Sequence, residues 1–153
     1  MEATGSIATW STTVRFVDTN VLLYAVSRDS RERDKAAIAN QLLAARDVGL
    51  SAQVLQEFYV QTTRESREDP LTHRQAADLV TAWTRFPTQD ITVELVHAAM
   101  ATRDRFRLSY WDAAIIEAAR MLGCETVVSE DFSTGQDYDG VTVTNPFDEL
   151  EAP

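Results

Sequence analysis

Four carboxylates occupy positions from which side chains could do chemistry. Two of them follow predicted strands, one borders the apolar stripe of a predicted helix, and one shares the apolar face of another helix. They are, in that order, Asp18, Asp131, Glu57 and Asp112. Like charges brought close together repel unless a cation lies between them. Oxygen ligands without a cysteine or histidine cluster favour a hard cation, Mg²⁺ or Mn²⁺, as one or two ions. Such a cation can activate water for attack on phosphorus, which predicts phosphodiester hydrolysis.

Short polar and basic side chains accompany these carboxylates along the sequence. The polar ones, which we expect to orient the ligands or contact a scissile phosphate, are Thr19, Asn20 and Ser129. The basic ones precede Asp112 and are candidate contacts for phosphate oxygens, namely Arg103, Arg105 and Arg107. A solvated helix surface is the competing interpretation for these arginines. A second basic group near the first helix has the same two interpretations and comprises Arg28, Arg31, Arg33 and Lys35.

Each of the four carboxylates also has a purely structural interpretation. Asp18 is a favoured N-cap for the helix that follows it, and Asp131 suits a strand-to-loop turn. Glu57 could extend into solvent. Asp112 could be the reciprocal acceptor of a capping box that begins at Ser109. Convergence of all four is the alternative, because a parallel sheet brings the carboxyl ends of its strands to one edge.

Charge and composition exclude several classes of protein. The chain has 14 basic and 24 acidic residues and a net charge of −10, which repels nucleic acid unless a cation intervenes. The single lysine, Lys35, lies too early for aspartyl phosphatases or receiver domains, which need a late lysine. Phosphatases of that type also need an aspartate where this chain has Asn20. The single cysteine, Cys124, excludes an internal disulfide and is interpreted as a small buried apolar residue.

The elements that must position these residues alternate between strands and helices. The predicted strands span residues 14–17, 48–51, 89–93, 125–129 and 141–144. Predicted helices begin directly after the first strand and then span residues 31–47, 52–64, 72–83, 94–107 and 109–122. This alternation predicts βαβ crossovers and an α/β fold with a mostly parallel sheet. Ligands in such folds bind beyond the carboxyl ends of the strands.

The length of 153 residues predicts one domain. Residues 1–13 are small and polar and are predicted to be a flexible extension, residues 14–148 the domain, and residues 149–153 a C-terminal tail. No apolar run approaches the ~20 residues that span a bilayer, and the N-terminus lacks a secretory-signal pattern. We therefore expect a cytoplasmic protein with no membrane association.

Four segments resemble the PIN-domain nucleases, and among them the VapC-type ribonuclease toxins of type II toxin–antitoxin systems. In chain order they are residues 16–24 (FVDTNVLLY), 56–58 (QEF), 109–119 (SYWDAAIIEAA) and 129–132 (SEDF). The last strand and residues 145–147 (NPF) also resemble the family's usual ending. The resemblance extends over residues 15–147, and the order and spacing of all four segments make it highly specific.

The resemblance implies a three-layer fold with helices flanking a mostly parallel sheet. It also implies that Asp18, Glu57, Asp112 and Asp131 form the catalytic and metal-binding set, supported by Asn20 and Ser129. The implied activity is cleavage of RNA that depends on Mg²⁺ or Mn²⁺. The implied partners are a second copy of the chain and a cognate VapB-type antitoxin, whose C-terminal segment would cover the acidic pocket. An inhibitor that inserts an arginine would suit such a pocket.

Two features lie outside this pattern. Residues 1–13 precede the family's usual start, and Glu130 adds an acidic group directly beside Asp131 to which the pattern gives no role. The competing functional hypothesis is a catalytically inactive PIN-like module that binds RNA or protein. Cleavage that EDTA abolishes would separate the enzyme from this module.

Overall fold

The computed structural model describes residues 14–151 of the chain. The described strands form one sheet and are β1 (Arg15–Val17), β2 (Val48–Ser51), β3 (Thr88–Gln89), β4 (Thr126–Val128), β5 (Asp137–Tyr138) and β6 (Val141–Thr144). The described α-helices are α1 (Thr19–Ala25), α2 (Arg33–Ala44), α3 (Ala52–Thr63), α4 (His73–Trp83), α5 (Val93–Phe106), α6 (Tyr110–Met121) and α7 (Asp148–Glu151). A short 3₁₀-helix, Ser30–Glu32, precedes α2.

The sheet has the strand order β3-β2-β1-β4-β6-β5, and every neighbouring pair is parallel except β5 with β6. Strand β1 lies between β2 and β4, with Phe16 opposite both Gly49 and Val127. Val17 and Val128 are partners, so the residues that follow them emerge side by side at one edge of the sheet. The predicted α/β class and mostly parallel sheet flanked by helices are confirmed.

Helices cover the sheet and enclose the core. Helix α6 packs against β2, β3, β4 and β6, with α5 beside it, while α1 packs against α2 and α3. Phe16 and Val127 of neighbouring strands are fully buried, as are Phe58 of α3 and Ile116 of α6. Cys124 is 2% exposed, and burial raises the pKa of its thiol to about 11, which confirms its interpretation as a buried apolar residue.

The predicted elements agree closely with the observed ones, with two informative differences. Strands β2 and β6 have the predicted bounds, and Thr72 and Gln75 form the predicted capping box of α4. The predicted strand over residues 89–93 is wrong beyond Gln89, because Thr92 accepts a hydrogen bond from the backbone of Leu95 and caps α5. Helix α2 is also shorter than predicted, since the chain first makes the 3₁₀ turn.

The chain termini were predicted to be an extension and a tail. The extension, residues 1–13, lies outside the described residues, as do residues 152 and 153 of the tail. The part of the tail that the structure describes belongs to the short helix α7. Within the described residues, no helix is both long enough and apolar enough to span a membrane.

Gly49 allows α6 and β1 to approach β2 closely, and we expect Gly49→Ala to destabilise the fold. A Cβ atom there would lie 3.0 Å from Cδ1 of Leu122, 3.3 Å from Sγ of Cys124 and 3.3 Å from Cγ1 of Val14. Overpacking of this kind lowers the free energy of unfolding by about 1–3 kcal/mol. Urea unfolding followed by circular dichroism measures it.

The matched control for this substitution is Gln41→Ala on the exposed face of α2, which should stay within about 0.5 kcal/mol of the wild type. If Gly49→Ala behaves like the control, the three neighbouring side chains move apart without cost, and close packing does not explain the glycine.

Candidate active site

Asp18 lies at the carboxyl end of β1 and is almost completely buried, with 6% of its surface exposed. Its Oδ1 accepts a hydrogen bond from the backbone N–H of Thr19 at 2.7 Å, and its Oδ2 accepts one from the hydroxyl of Ser129 at 2.8 Å. Asp18 therefore is the N-cap of α1, as the structural interpretation proposed, and it also contacts the neighbouring strand's end. One side chain thus caps a helix and joins a cross-strand network.

The Asp18 carboxyl holds its proton unusually tightly. Burial raises its pKa from 3.8 to about 7, and the negative charges of Asp131 and Glu57 act in the same direction. The hydrogen bonds from Ser129 and Thr19 oppose this rise but do not overcome it. Ionisation of Asp18 is therefore costly in this buried, negatively charged environment.

Ser129 connects the ends of β1 and β4. Its fully buried hydroxyl donates to Asp18 and accepts hydrogen bonds from Nδ2 of Asn20 at 2.9 Å and from the backbone N–H of Asp131 at 3.0 Å. Asn20 also donates from Nδ2 to Oδ2 of Asp131 at 3.1 Å. Asp131 is exposed, so this network fixes a carboxylate that faces solvent.

Glu57 is held by two neutral donors on α1 and α3. Its Oε1 accepts from the hydroxyl of Thr19 at 2.6 Å, and its Oε2 accepts from the side-chain amide of Gln53 at 3.1 Å. The same amide lies 3.3 Å from the backbone carbonyl of Trp111, to which it also donates, and so links α3 to α6. Glu57 is half-buried, and the interpretation that it extends freely into solvent is wrong.

Gln53 is a site residue that the sequence analysis missed. It is 8% exposed, and it precedes Glu57 by one helical turn, so the two side chains share a face of α3. That spacing is the signal that could have identified it. A buried amide one turn from a candidate ligand is placed to orient it.

Asp112 lies in the first turn of α6, where Ser109 caps the helix by accepting a hydrogen bond from the backbone N–H of Asp112 at 3.1 Å. Among the described residues, the reciprocal bond of a full capping box is not formed at this helix. Burial raises the pKa of the half-buried Asp112 carboxyl, and the charges of Asp131 and Glu57 add to the rise, while a hydrogen bond with Ser109 opposes it.

The four carboxylates therefore share one electrostatic environment. The charges of both Asp131 and Glu57 raise the pKa of Asp18 and also that of Asp112, although the four residues come from well-separated parts of the sequence. The structure brings the predicted set together to this extent. Thr19, Asn20 and Ser129, predicted as supporting residues, all hydrogen-bond to members of the set.

The donor set fits a hard cation in its chemistry. All four candidate ligands are carboxylates, whose oxygens retain lone pairs beyond those used in the hydrogen bonds above, and a cation would relieve their mutual repulsion. Within the described residues, however, no group of three or more Asp, Glu, His or Cys side chains is close enough together to hold a metal ion. The metal-binding role of the set thus stays a prediction.

The three arginines predicted as RNA contacts lie at the end of α5 and precede Asp112 in the sequence. Arg105 forms an ion pair with Asp139 at 3.3 Å, and Arg107 ends the helix in the left-handed conformation, with φ of 60°. All three are exposed, Arg103 included, and within the described residues none pairs with the four carboxylates. Their contact with RNA stays a prediction.

The chain is similar to known proteins in both sequence and fold. The family model of the PIN domain matches residues 15–133. Among solved structures, the chain is similar to a toxin–antitoxin complex from Klebsiella pneumoniae, with 21% identity, a TM-score of 0.60, and coverage of 86% of this chain and 97% of that chain. It is similar to VapC20 from Mycobacterium tuberculosis, a sarcin–ricin loop cleaving toxin, with 24% identity, a TM-score of 0.59, and coverage of 78% and 92%.

A third similar structure is FitAcB from Neisseria gonorrhoeae, with 18% identity, a TM-score of 0.62, and coverage of 88% of this chain and 99% of that chain. At these identities the structures show a shared fold. No sequence among curated proteins matches the chain.

The raised pKa of Asp18 predicts a pH-dependent stability difference between the wild type and Asp18→Asn. The folded state binds the Asp18 proton more tightly than the unfolded state, so the wild type loses unfolding free energy as the pH rises from 3.8 to about 7. Asparagine does not titrate, so the variant should gain on the wild type over this range, by up to about 1.4 kcal/mol per pKa unit.

Urea unfolding in EDTA at several pH values measures this difference. The trend with pH is the prediction, because the new amide also faces a Ser129 oxygen that already accepts two hydrogen bonds. A difference that stays constant across the range would show that Asp18 titrates at its ordinary pKa and is not destabilised by burial.

Proposed function

The chain belongs to the PIN-domain family, and on that premise we propose that it is a divalent-metal-dependent endoribonuclease that acts as the toxin of a toxin–antitoxin pair. One observation carries the proposal. The charges of Asp131 and Glu57 act on both Asp18 and Asp112 beyond the carboxyl ends of the strands, and neutral donors orient Asp18, Asp131 and Glu57. A cation would relieve the repulsion that contributes to the raised pKa of Asp18 and Asp112.

The four carboxylates would hold Mg²⁺ or Mn²⁺, as one or two ions. When bound, the cation supplies an activated water for attack on phosphorus and stabilises charge on the phosphate. The chain's own residues prepare the ligands. Ser129 and Asn20 fix Asp18 and Asp131 relative to each other, and Thr19 with Gln53 fixes Glu57. Orientation of this kind sharpens both affinity and geometry.

The titration of Asp18 couples cation binding to pH. Asp18 would have to lose its proton in order to hold a cation, and its pKa is about 7, so cation affinity should increase as the pH rises through neutrality. Asp112, whose pKa is also raised by burial, contributes in the same direction.

RNA is the proposed substrate, and the net negative charge of the chain opposes its binding. A net charge of −10 repels a polyanion, so the cation and the exposed arginines at the end of α5 would have to offset that field locally. Arg103, Arg105 and Arg107 are the proposed contacts with phosphate oxygens. The known activity of VapC20 on the sarcin–ricin loop makes structured RNA a suitable first substrate to test.

The proposed partners are a second copy of the chain and a VapB-type antitoxin. The similar structure from Klebsiella pneumoniae is a toxin–antitoxin complex, which supports an antitoxin partner here. The antitoxin's C-terminal segment would cover the acidic pocket, and an arginine in that segment would complement the negative potential of the four carboxylates.

We expect the purified protein to cleave RNA with Mg²⁺ or Mn²⁺, and Asp112→Asn to reduce the rate by about 100-fold or more. Loss of a residue that only orients a ligand already costs roughly 10- to 100-fold, so loss of a ligand should cost at least that. Digestion of a total-RNA pool, followed by mapping of the new 5′ ends, measures activity and identifies the cleavage sites together.

The matched control is Asp78→Asn, which removes an exposed carboxylate from α4 and leaves the proposed RNA contacts and ligands unchanged. It should retain wild-type cleavage. Equal activity in all three proteins, or no cleavage by the wild type with either cation and no antitoxin, would contradict the proposal. RNA binding that persists in EDTA without any product would instead support the inactive RNA-binding module.

A further inference from the structure

Lys35, the only lysine of the chain, joins three other segments through a half-buried cluster. Its Nζ lies 3.0 Å from Oε1 of Glu130, which follows β4, and it donates to the hydroxyl of Tyr24 in α1 at 3.3 Å. The Tyr24 hydroxyl donates to Oε2 of the same glutamate at 2.5 Å. Nζ also lies 4.9 Å from the ring centroid of Tyr24 and 5.5 Å from that of Phe147, beyond β6.

This ion pair is better shielded from solvent than most of those in the described residues. The side chains of Lys35 and Glu130 are 24% and 20% exposed, whereas those of Arg105 and Asp139 are 63% and 65% exposed. Burial lowers the pKa of Lys35, but its hydrogen bonds to Glu130 and Tyr24 outweigh that effect, and the pKa is raised overall. Partial burial with satisfied hydrogen bonds and two aromatic rings makes the pair more rigid than a surface pair.

Glu130 stands between two residues of the candidate active site. Its neighbours, Ser129 and Asp131, both join the network around Asp18 and Asn20. The backbone N–H of Glu130 also donates to Oδ1 of Asn20 at 3.4 Å. The segment is therefore held on the site side by Ser129 and Asp131, and on the α2 side by the Glu130 carboxylate.

The position of Asp131 depends on how the Glu130 carboxylate beside it is held. It is exposed, and in the described part of the chain its side chain accepts a hydrogen bond only from Asn20. Its position is otherwise set by the backbone of residues 129–131. A contact that fixes Glu130 hence fixes Asp131 as well.

We propose that Lys35 is a positioning residue that, through its ion pair with Glu130, holds residues 129–131 in the place where Asp131 can serve the active site. The inference rests on the proposed function in one respect, which is that Asp131 binds a cation. The placement of the segment itself does not depend on that role.

The test replaces Lys35 by methionine and measures two properties of the full-length protein. Hydrogen–deuterium exchange reports the protection of the amides of residues 129–131, and isothermal titration with Mn²⁺ in the absence of RNA reports cation affinity. We expect Lys35→Met to accelerate exchange in that segment and to weaken Mn²⁺ binding by about 10- to 100-fold, the usual effect of removing a group that orients a ligand.

The matched control is Arg15→Met, which breaks another half-buried ion pair at the opposite end of β1. Arg15 contacts both carboxylate oxygens of Asp47 at 2.9 and 3.0 Å, with side chains 34% and 30% exposed. This variant loses a comparable contact far from residues 129–131. It should leave both the exchange of those residues and the affinity for Mn²⁺ at wild-type values.

Two further variants separate the ion pair from general packing. Lys35→Arg keeps the charge and should retain wild-type exchange in the segment. Glu130→Gln removes the charge that pairs with Lys35 but keeps an oxygen that can accept from the Tyr24 hydroxyl, so it should accelerate exchange in the same segment as Lys35→Met does. Wild-type exchange in Glu130→Gln would overturn the role of the ion pair.

Unchanged exchange at residues 129–131 in Lys35→Met would overturn the proposal, as would faster exchange with unchanged Mn²⁺ affinity, since the segment would then be held without consequence for the site. If the wild type binds no Mn²⁺, the proposed function fails. In that case the exchange data alone decide whether Lys35 fixes the segment.

Discussion

The Ser129 hydroxyl is the interaction on which the geometry of the site depends. One oxygen donates to the carboxylate of Asp18 and accepts from Asn20 and from the backbone of Asp131, so its donor and both of its acceptor positions are used. It is fully buried, where an unsatisfied partner would cost about 1–3 kcal/mol. The register of β1 against β4 places Val17 opposite Val128 and so brings Asp18 and Ser129 side by side.

The burial that fixes the Asp18 side chain also makes its ionisation costly. Burying Asp18 beside the charges of Asp131 and Glu57 raises its pKa to about 7, and the fold bears the cost of ionising it at neutral pH. A rigid sheet can tolerate this cost, because Phe16, Val17 and Val127 on either side are completely or almost completely buried. The cost of ionisation is thus concentrated at the edge of the sheet, just beyond the last residue of β1.

The sequence predicted what depends on local pattern and failed where partners are distant in the chain. Asp18 and Ser129 could be placed because each follows a short β-branched run, and β-strands of a parallel sheet end at a common edge. The orientation of Glu57 could not, since it depends on Thr19, 38 residues away. The pairing of Lys35 with Glu130 spans 95 residues and leaves no periodic signal in either segment. The error at the end of β3 had a local cause, because the Thr92 hydroxyl accepts a hydrogen bond from the backbone of Leu95 and caps α5 instead of extending the strand.

The buried and half-buried acidic residues differ in whether a basic side chain pairs with them. Glu117 lies in the same helix as Asp112 and is 5% exposed, yet it pairs with Arg120 at 3.0 Å and accepts from the hydroxyl of Thr102 at 2.6 Å. Arg120 in turn donates to the backbone carbonyls of residues 138 and 139, so this acid holds the β5–β6 turn in place.

Glu130 likewise has Lys35, and Asp47 has Arg15. Within the described residues, the candidate set of Asp18, Glu57, Asp112 and Asp131 has only neutral hydrogen-bond donors and no basic side chain. Neutral donors orient a carboxylate without cancelling its charge. Once Asp18 is ionised, no basic side chain in the described residues balances the charge of this set, whereas Glu117, Glu130 and Asp47 each have a basic partner.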